Sequence, residues 1–258
     1  MRSFVIFSVL ERLYGIDIEC VRRILPSQFL TDMPDEEEHI EGMFQYEDQI
    51  IKVLSFRKVI GEKSYEEELR SFFPKIKKEH KSWLNTLEES VEKGLSFTKS
   101  IDAHKCTLGQ WIDSFHPDDP EVAQAMKKLD FHHQNLYRLA AEVLEFSKED
   151  SAAAKKMIEE DVKKSLKKML KHLERLLDMS NKVAASLQRC LILVGKNDES
   201  FGMNIDTVDD IVHVNESELH EVDQTQAIGE FMHVSAILEH NNKLITIVKD
   251  IRINKGSK

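Results

Sequence analysis

Residues 104–111 read HKCTLGQW, and Cys106 within them is one of only three cysteines among 258 residues. A buried cysteine is ordinarily a small apolar filler, so its neighbours decide whether it does chemistry. The stretch FPKIKKEHKSWLNTLEESVEKG (73–94) places Ile76, His80, Trp83, Leu84, Leu87 and Val91 on one face at helical spacing, which turns His80 inward. EVAQAMKKLDFHHQNLYRLAAEVLEF (121–146) does the same with Met126, Leu129, His133, Leu136, Tyr137, Ala140 and Leu144. Between them, Leu108, Trp111 and Ile112 are positioned to bury the turn around Cys106. A lone inward histidine is usually a hydrogen-bonded core residue. Here His80, Cys106 and His133 lie on or beside the apolar seams of three separate helices, and thiolate with neutral imidazole is the donor set that Zn²⁺ prefers. The chemistry implied is a tetrahedral zinc site, structural or sensory, whose metal-bound thiolate is open to oxidation.

Three stretches of chain must position these groups. The first sixty residues read as strands in FVIFSVL (4–10), YGIDIECVRRIL (14–25) and DQIIKVLSFRKVI (48–60), rich in β-branched and aromatic residues and separated by turn-like TDMPDEEE. From Tyr65 to Gln188 glycine and proline become scarce, and apolar residues recur at three and four positions, as in helices. Strand character returns in CLILVG (190–195), FGMNIDTVDDIVHV (201–214), FMHVSAILEH (231–240) and KLITIVKDIRI (243–253). Each β end is small for an independent core, so the simplest arrangement pairs the ends around a helical insertion. The alternative is three separate small domains in series, although no Pro-, Gly- or Ser-rich linker marks either junction.

Composition narrows the function classes. A net charge of −10 argues against nonspecific nucleic-acid binding. Three widely spaced cysteines suit a reducing cytoplasm better than a disulfide framework. The opening MRSFVIFSVLERLYG lacks the pattern of a signal peptide, and no apolar stretch is long enough to cross a membrane, so no membrane insertion is expected. There is no H-E-x-x-H helix or G-x-S-x-G turn, and nine glycines leave little room for a phosphate-cradling loop, so the chain does not read as an enzyme. AHKCTLG only faintly resembles the His-x-x-Lys-Gly helix of histidine phosphotransfer domains, with Thr107 where the Lys belongs.

GMFQYEDQIIKVLSFRKVIG from Gly42 resembles the CheW-like coupling domains, with Gly42, Ile50, Val53, Phe56, Arg57 and Gly61 in step. The opening hairpin, the turn from Val21 to Leu25, and Gly202, Ile205, Asp206 and Val208 extend the resemblance over 4–61 and 190–253, about half the chain. It implies an α+β fold in which two small five-stranded β-barrels pack together, residues 1–63 forming the first and 189–258 the second. Residues 64–188 would be an inserted antiparallel helical bundle. The implied function is a non-enzymatic cytoplasmic adaptor in bacterial chemotaxis, whose partners are a histidine kinase and/or the cytoplasmic tip of a chemoreceptor. Glu47, Asp48 and Arg57 are the implied partner-binding residues. Glu47-Asp48 stands where the family has Arg-Gly, which reverses the charge offered at that position.

Residues 76–146 are similar to the chemoreceptor zinc-binding (CZB) domain, in His80 to Trp83, Cys106 to Trp111, and His133 followed by RLAAE. That resemblance implies zinc held by three histidines and one cysteine, a response to zinc or to oxidants, and a homodimer formed through the bundle. The last histidine of the family pattern falls on Tyr137, a poor zinc ligand as a neutral phenol. Three explanations stand at this point: His104 or His132 substitutes, water or an exogenous group fills the position, or zinc binding is lost and the bundle serves as a spacer or partner-binding module. His132 is about 100° around the helix from His133 and cannot share the site without distortion. The run from Lys155 to Cys190 reads as one long amphipathic helix, with Met157, Val162, Leu166, Met169, Leu170, Leu173, Leu176 and Leu177 as its stripe. It either transmits a rearrangement of the bundle or simply closes it, and its lysines, interspersed with Glu159, Glu160, Asp161 and Glu174, read as a solvated face.

Overall fold

The computed structural model describes residues 1–31, 33, 38–195, 199–222, 227–228 and 232–249. The chain divides into two compact units, one of Met1–Tyr65 with Leu187–Lys258 and the other of Glu66–Ser186. The first unit contains β1 (Arg2–Val9), β2 (Arg12–Asp17), β3 (Val21–Pro26), β4 (Ile40–Tyr46), β5 (Gln49–Ser55) and the one-turn α1 (Phe56–Val59). It resumes with β6 (Arg189–Val194), β7 (Ser200–Ile205), β8 (Thr207–Val214), β9 (Leu219–Glu221), β10 (Ala227–Ile228), β11 (Met232–His240) and β12 (Lys243–Lys249). Phe231 and residues 250–253 of the expected strands lie outside the described residues.

The two ends of the chain interleave. A seven-stranded sheet runs β10-β11-β12-β2-β1-β8, with β9 beside β11, and a five-stranded sheet runs β3-β6-β7-β5-β4. The early strands β1 and β2 pair with the late strands β8 and β12, and β3 and β5 pair with β6 and β7. The expected pair of five-stranded barrels, one from each end, is therefore corrected to two open sheets, each built from both ends. Among the described residues no pairing closes either sheet. The open edges carry charge, Arg22 and Arg23 on β3 and Asp209 and Asp210 on β8, which discourages further pairing.

Local signals explain how strands change sheets. The expected strand 14–25 is broken by the 3₁₀ turn Ile18–Cys20, where the Asp17 side chain accepts from the Glu19 N–H, so β2 and β3 join different sheets. The expected strand 48–60 likewise ends at Ser55 and turns into α1. Tight hairpins join β1 to β2 through Leu10-Glu11 and β11 to β12 through Asn241-Asn242. All four residues have positive φ, as a two-residue type I′ turn requires. Along β1 both faces are buried: Phe4 and Ile6 pack with Val212, Leu238 and Ile245, while Val5 and Phe7 pack with Tyr14, Phe56, Leu191 and Met203.

The helical unit contains α2 (Tyr65–Lys93), α3 (Thr107–Ser114), α4 (Pro120–Phe146), α5 (Ser151–Met157), α6 (Lys163–Asp178) and α7 (Ser180–Leu187). The helix α2 starts at Tyr65, where the helical pattern was expected to begin, and runs through Pro74, which forgoes one backbone hydrogen bond. Asp119 caps α4, accepting from the N–H groups of Glu121 and Val122, with Pro120 at the first helical position. The expected continuous return helix is corrected to three helices: a π-helical turn, Ile158–Val162, separates α5 from α6, and Met179 breaks the chain before α7. Its expected stripe still faces inward, with Val162, Leu166, Met169, Leu173 and Leu176 buried. Among the described residues no helix is long and apolar enough to cross a membrane.

Candidate metal centre

Three elements bring the candidate ligands together. His80 is the inward polar residue of the buried stripe of α2, between Ile76 and Trp83, and is 3% exposed. His133 occupies the equivalent place on α4, between Leu129 and Leu136, and is 1% exposed. Cys106 is the N-cap of α3, held there because its Sγ accepts from the Gly109 N–H at 3.3 Å. A 3₁₀ turn, Ala103–Lys105, leads into it, stabilised by Asp102 accepting from the His104 N–H.

The Cys106 Sγ lies 3.2 Å from His133 Nε2 and 3.9 Å from His80 Nε2. All three ligand atoms are within 4.8 Å of one another. Donors on a tetrahedral zinc, at the usual Zn–S and Zn–N lengths, stand about 3.6 Å apart, so small side-chain adjustments suffice to grip an ion. The tautomer also suits a ligand: His80 Nδ1 donates to the Ile76 carbonyl at 2.9 Å, and since a carbonyl only accepts, Nε2 carries the lone pair. Burial lowers the pKa of His80, and burial together with the neighbouring His80 pushes His133 down to about 3. Both rings are neutral, as metal ligands must be.

These shifts dictate an acid sensitivity. Unfolding returns the imidazoles to their ordinary pKa near 6.5, so below that pH the unfolded chain takes up protons that the folded chain excludes. Metal-free protein is expected to lose stability as pH falls from about 6.5 towards the folded values, by up to about 1.4 kcal/mol per pH unit for each histidine. Thermal unfolding of chelator-treated protein at about pH 7 and about pH 5 measures this, and His133→Gln is expected to remove about half of the slope. A flat profile would mean that the rings are not held neutral.

The remaining expected residues are placed as follows. Tyr137 lies at the site, its ring 5.0 Å from that of His133 and 6.2 Å from that of His80. Burial and a hydrogen bond to Cys106 raise the pKa of its phenol, which stays neutral. His104 is exposed, with Nδ1 against Asp113 at 2.9 Å, and stands outside the group of converging ligand atoms. Its companion His132 turns away and stacks on His172 of α6 at 5.1 Å. Glu47 and Asp48 form the exposed tip of the β4–β5 hairpin. Arg57, expected on a partner-binding surface, is buried and committed to the fold. Its Nε and Nη2 donate to the two carboxylate oxygens of Asp206 at 2.7 Å, and Asp206 also accepts from the Leu10 N–H.

Sequence reasoning met Gly109 as part of the pattern after Cys106 but assigned it no role. A Cβ built there would stand 1.9 Å from the Ala103 carbonyl oxygen, so only glycine lets α3 approach the turn that carries Cys106. The one available signal was the glycine itself, three residues after the cysteine. Of the other cysteines, Cys190 is the apolar filler: burial pushes its thiol up to about 12, while Cys20 is exposed.

Residues 3–78 match the family model of the CheW-like domain, and residues 80–144, which include all three converging side chains, match that of the chemoreceptor zinc-binding domain. No curated protein matches the chain. The crystal structure of scaffolding protein TtCheW from Thermoanaerobacter tengcongensis aligns over 96% of this chain and 84% of that chain, at 15% identity and a TM-score of 0.44.

Proposed function

We propose that this chain, a CheW-like domain joined to a chemoreceptor zinc-binding domain, is a non-enzymatic, cytoplasmic adaptor of bacterial chemotaxis. It couples a chemoreceptor to its histidine kinase, and its helical unit responds to zinc or to oxidants. The observation that carries this reading is the convergence of His80, Cys106 and His133 from three elements within 4.8 Å, inside the segment matched to the zinc-binding family.

Bound zinc would supply a cross-link between α2, the N-terminus of α3, and α4. His80 and His133 offer neutral Nε2 lone pairs, and Cys106 offers its sulfur, which accepts from the Gly109 N–H. Oxidising that sulfur removes a donor and loosens the junction of the three elements, a local change with a readout in helix packing. The chain returns to the β unit through α5, α6 and α7, so a rearrangement of the bundle reaches its connection. In the β unit, the exposed hairpin tip of Glu47 and Asp48, beside Ile50 at 72% exposure, is the surface we assign to the partner.

Tyr137 favours a second reading, in which the insertion has lost its metal and serves as a spacer. Capture of a chemotaxis histidine kinase on the tagged chain, with and without zinc chelation, separates the two. The sensor reading expects capture to change about 5-fold or more on chelation. Unchanged capture supports the plain scaffold, and no capture contradicts both.

A further inference from the structure

His80, Cys106 and His133 leave a tetrahedral ion one protein donor short. The side chain beside the three, Tyr137, is a neutral phenol whose hydroxyl is engaged with the Cys106 sulfur. Two imidazoles and one thiolate also leave a divalent ion with a residual charge of about +1, costly to hold in a half-buried site unless an anion joins it.

An open cavity adjoins these side chains. A cavity of about 590 Å³ has His80, Cys106 and Tyr137 in its wall. Its rim is cationic: Lys75, Lys78, Lys99 and Lys105 line it, with Glu79 as the one carboxylate among the lining residues. Lys75 reaches Glu79 only at 3.9 Å and Lys105 reaches Asp102 at 3.6 Å, while Lys78 and Lys99 have no ion pair among the described residues. Trp83 fixes one side of this entrance, its Nε1 donating to the Ser100 carbonyl at 2.9 Å. In a chain of net charge −10, four lysines at the mouth of a metal site, set against one lining carboxylate, concentrate small anions there.

We propose that the centre takes its fourth ligand from solvent through this cavity, and that the ligand is a small monoanion of halide, azide or carboxylate size. The inference rests on the zinc reading above. Tyr137 then acts as a positioning residue, its hydroxyl donating to the sulfur or to the incoming anion rather than to the metal.

The test uses full-length protein loaded with Co²⁺, whose visible bands report coordination, and azide as the anion. Azide is expected to shift the spectrum of the wild-type protein saturably. Tyr137→Phe is expected to keep that response. Tyr137→His, with a third imidazole completing the sphere, is expected to abolish it. Lys78→Glu with Lys99→Glu is expected to raise the half-saturating azide concentration by ~10-fold or more. A wild-type spectrum that azide leaves unmoved while the sulfur-to-cobalt band is present overturns the proposal, as does an equal azide response in Tyr137→His. Loss of the cobalt spectrum in Tyr137→Phe overturns it too, because the phenol would then be the ligand. Failure of wild-type protein to bind Co²⁺ at all contradicts the zinc reading itself.

Discussion

Replacing Gly109 by alanine is expected to destabilise the helical unit by about 3 kcal/mol or more and to weaken metal binding by about 10- to 100-fold. The added methyl would lie 1.9 Å from the Ala103 oxygen, 2.8 Å from the Ala103 carbonyl carbon and 3.0 Å from the His104 Cα. All three are backbone atoms, so no side-chain rotation relieves the overlap. Either α3 backs away from the Ala103–Lys105 turn or the turn itself moves. Both displacements stretch the 3.3 Å bond from the Gly109 N–H to the Cys106 sulfur, and both shift that sulfur relative to the two imidazoles. Leu108, fully buried beside it, would also be dragged from its packing. Chemical denaturation and competition with a chelator measure the two effects. An alanine variant that matches the wild type in both would show that this close approach does not hold the cysteine in place.

The inward placement of His80 and His133 was legible in the sequence because helical periodicity is a local property. A polar residue at His80 or His133, inside a run of apolar residues spaced by three and four, has to face the interior wherever the helix packs. Gly109 was not legible in the same way, since its role depends on how closely α3 meets a turn six residues upstream. Arg57 and Asp206 stand 149 positions apart, and nothing local to either shows that they form one part-buried ion pair. Arg57 therefore read as a surface contact. The interleaving of the two ends into shared sheets is non-local in the same sense: β-branched runs identify strands but not their neighbours. The strand β4 escaped notice as a separate element, its alternation disturbed by Gly42 at φ +144° and a register shift between Ile40 and Gly42. The π-helical turn at Ile158–Val162 has no glycine or proline to announce it, so the return helix read as continuous.

The account's central claim is that the sulfur of Cys106 and the Nε2 atoms of His80 and His133 hold one metal ion. Cys106→Ser is expected to have a larger effect than any other single change at the site. It replaces the thiolate, the strongest donor of the set, by a hydroxyl that stays protonated at neutral pH, and it leaves two imidazoles that cannot retain zinc alone. The fold should survive, since Cys106 is only partly buried and serine is itself a good N-cap for α3. Elemental analysis of purified protein measures this most directly. It should find close to one zinc per wild-type chain and less than about a tenth of that in a folded Cys106→Ser variant. Wild-type protein purified in the presence of zinc but free of it, or full zinc occupancy in Cys106→Ser, would contradict the claim.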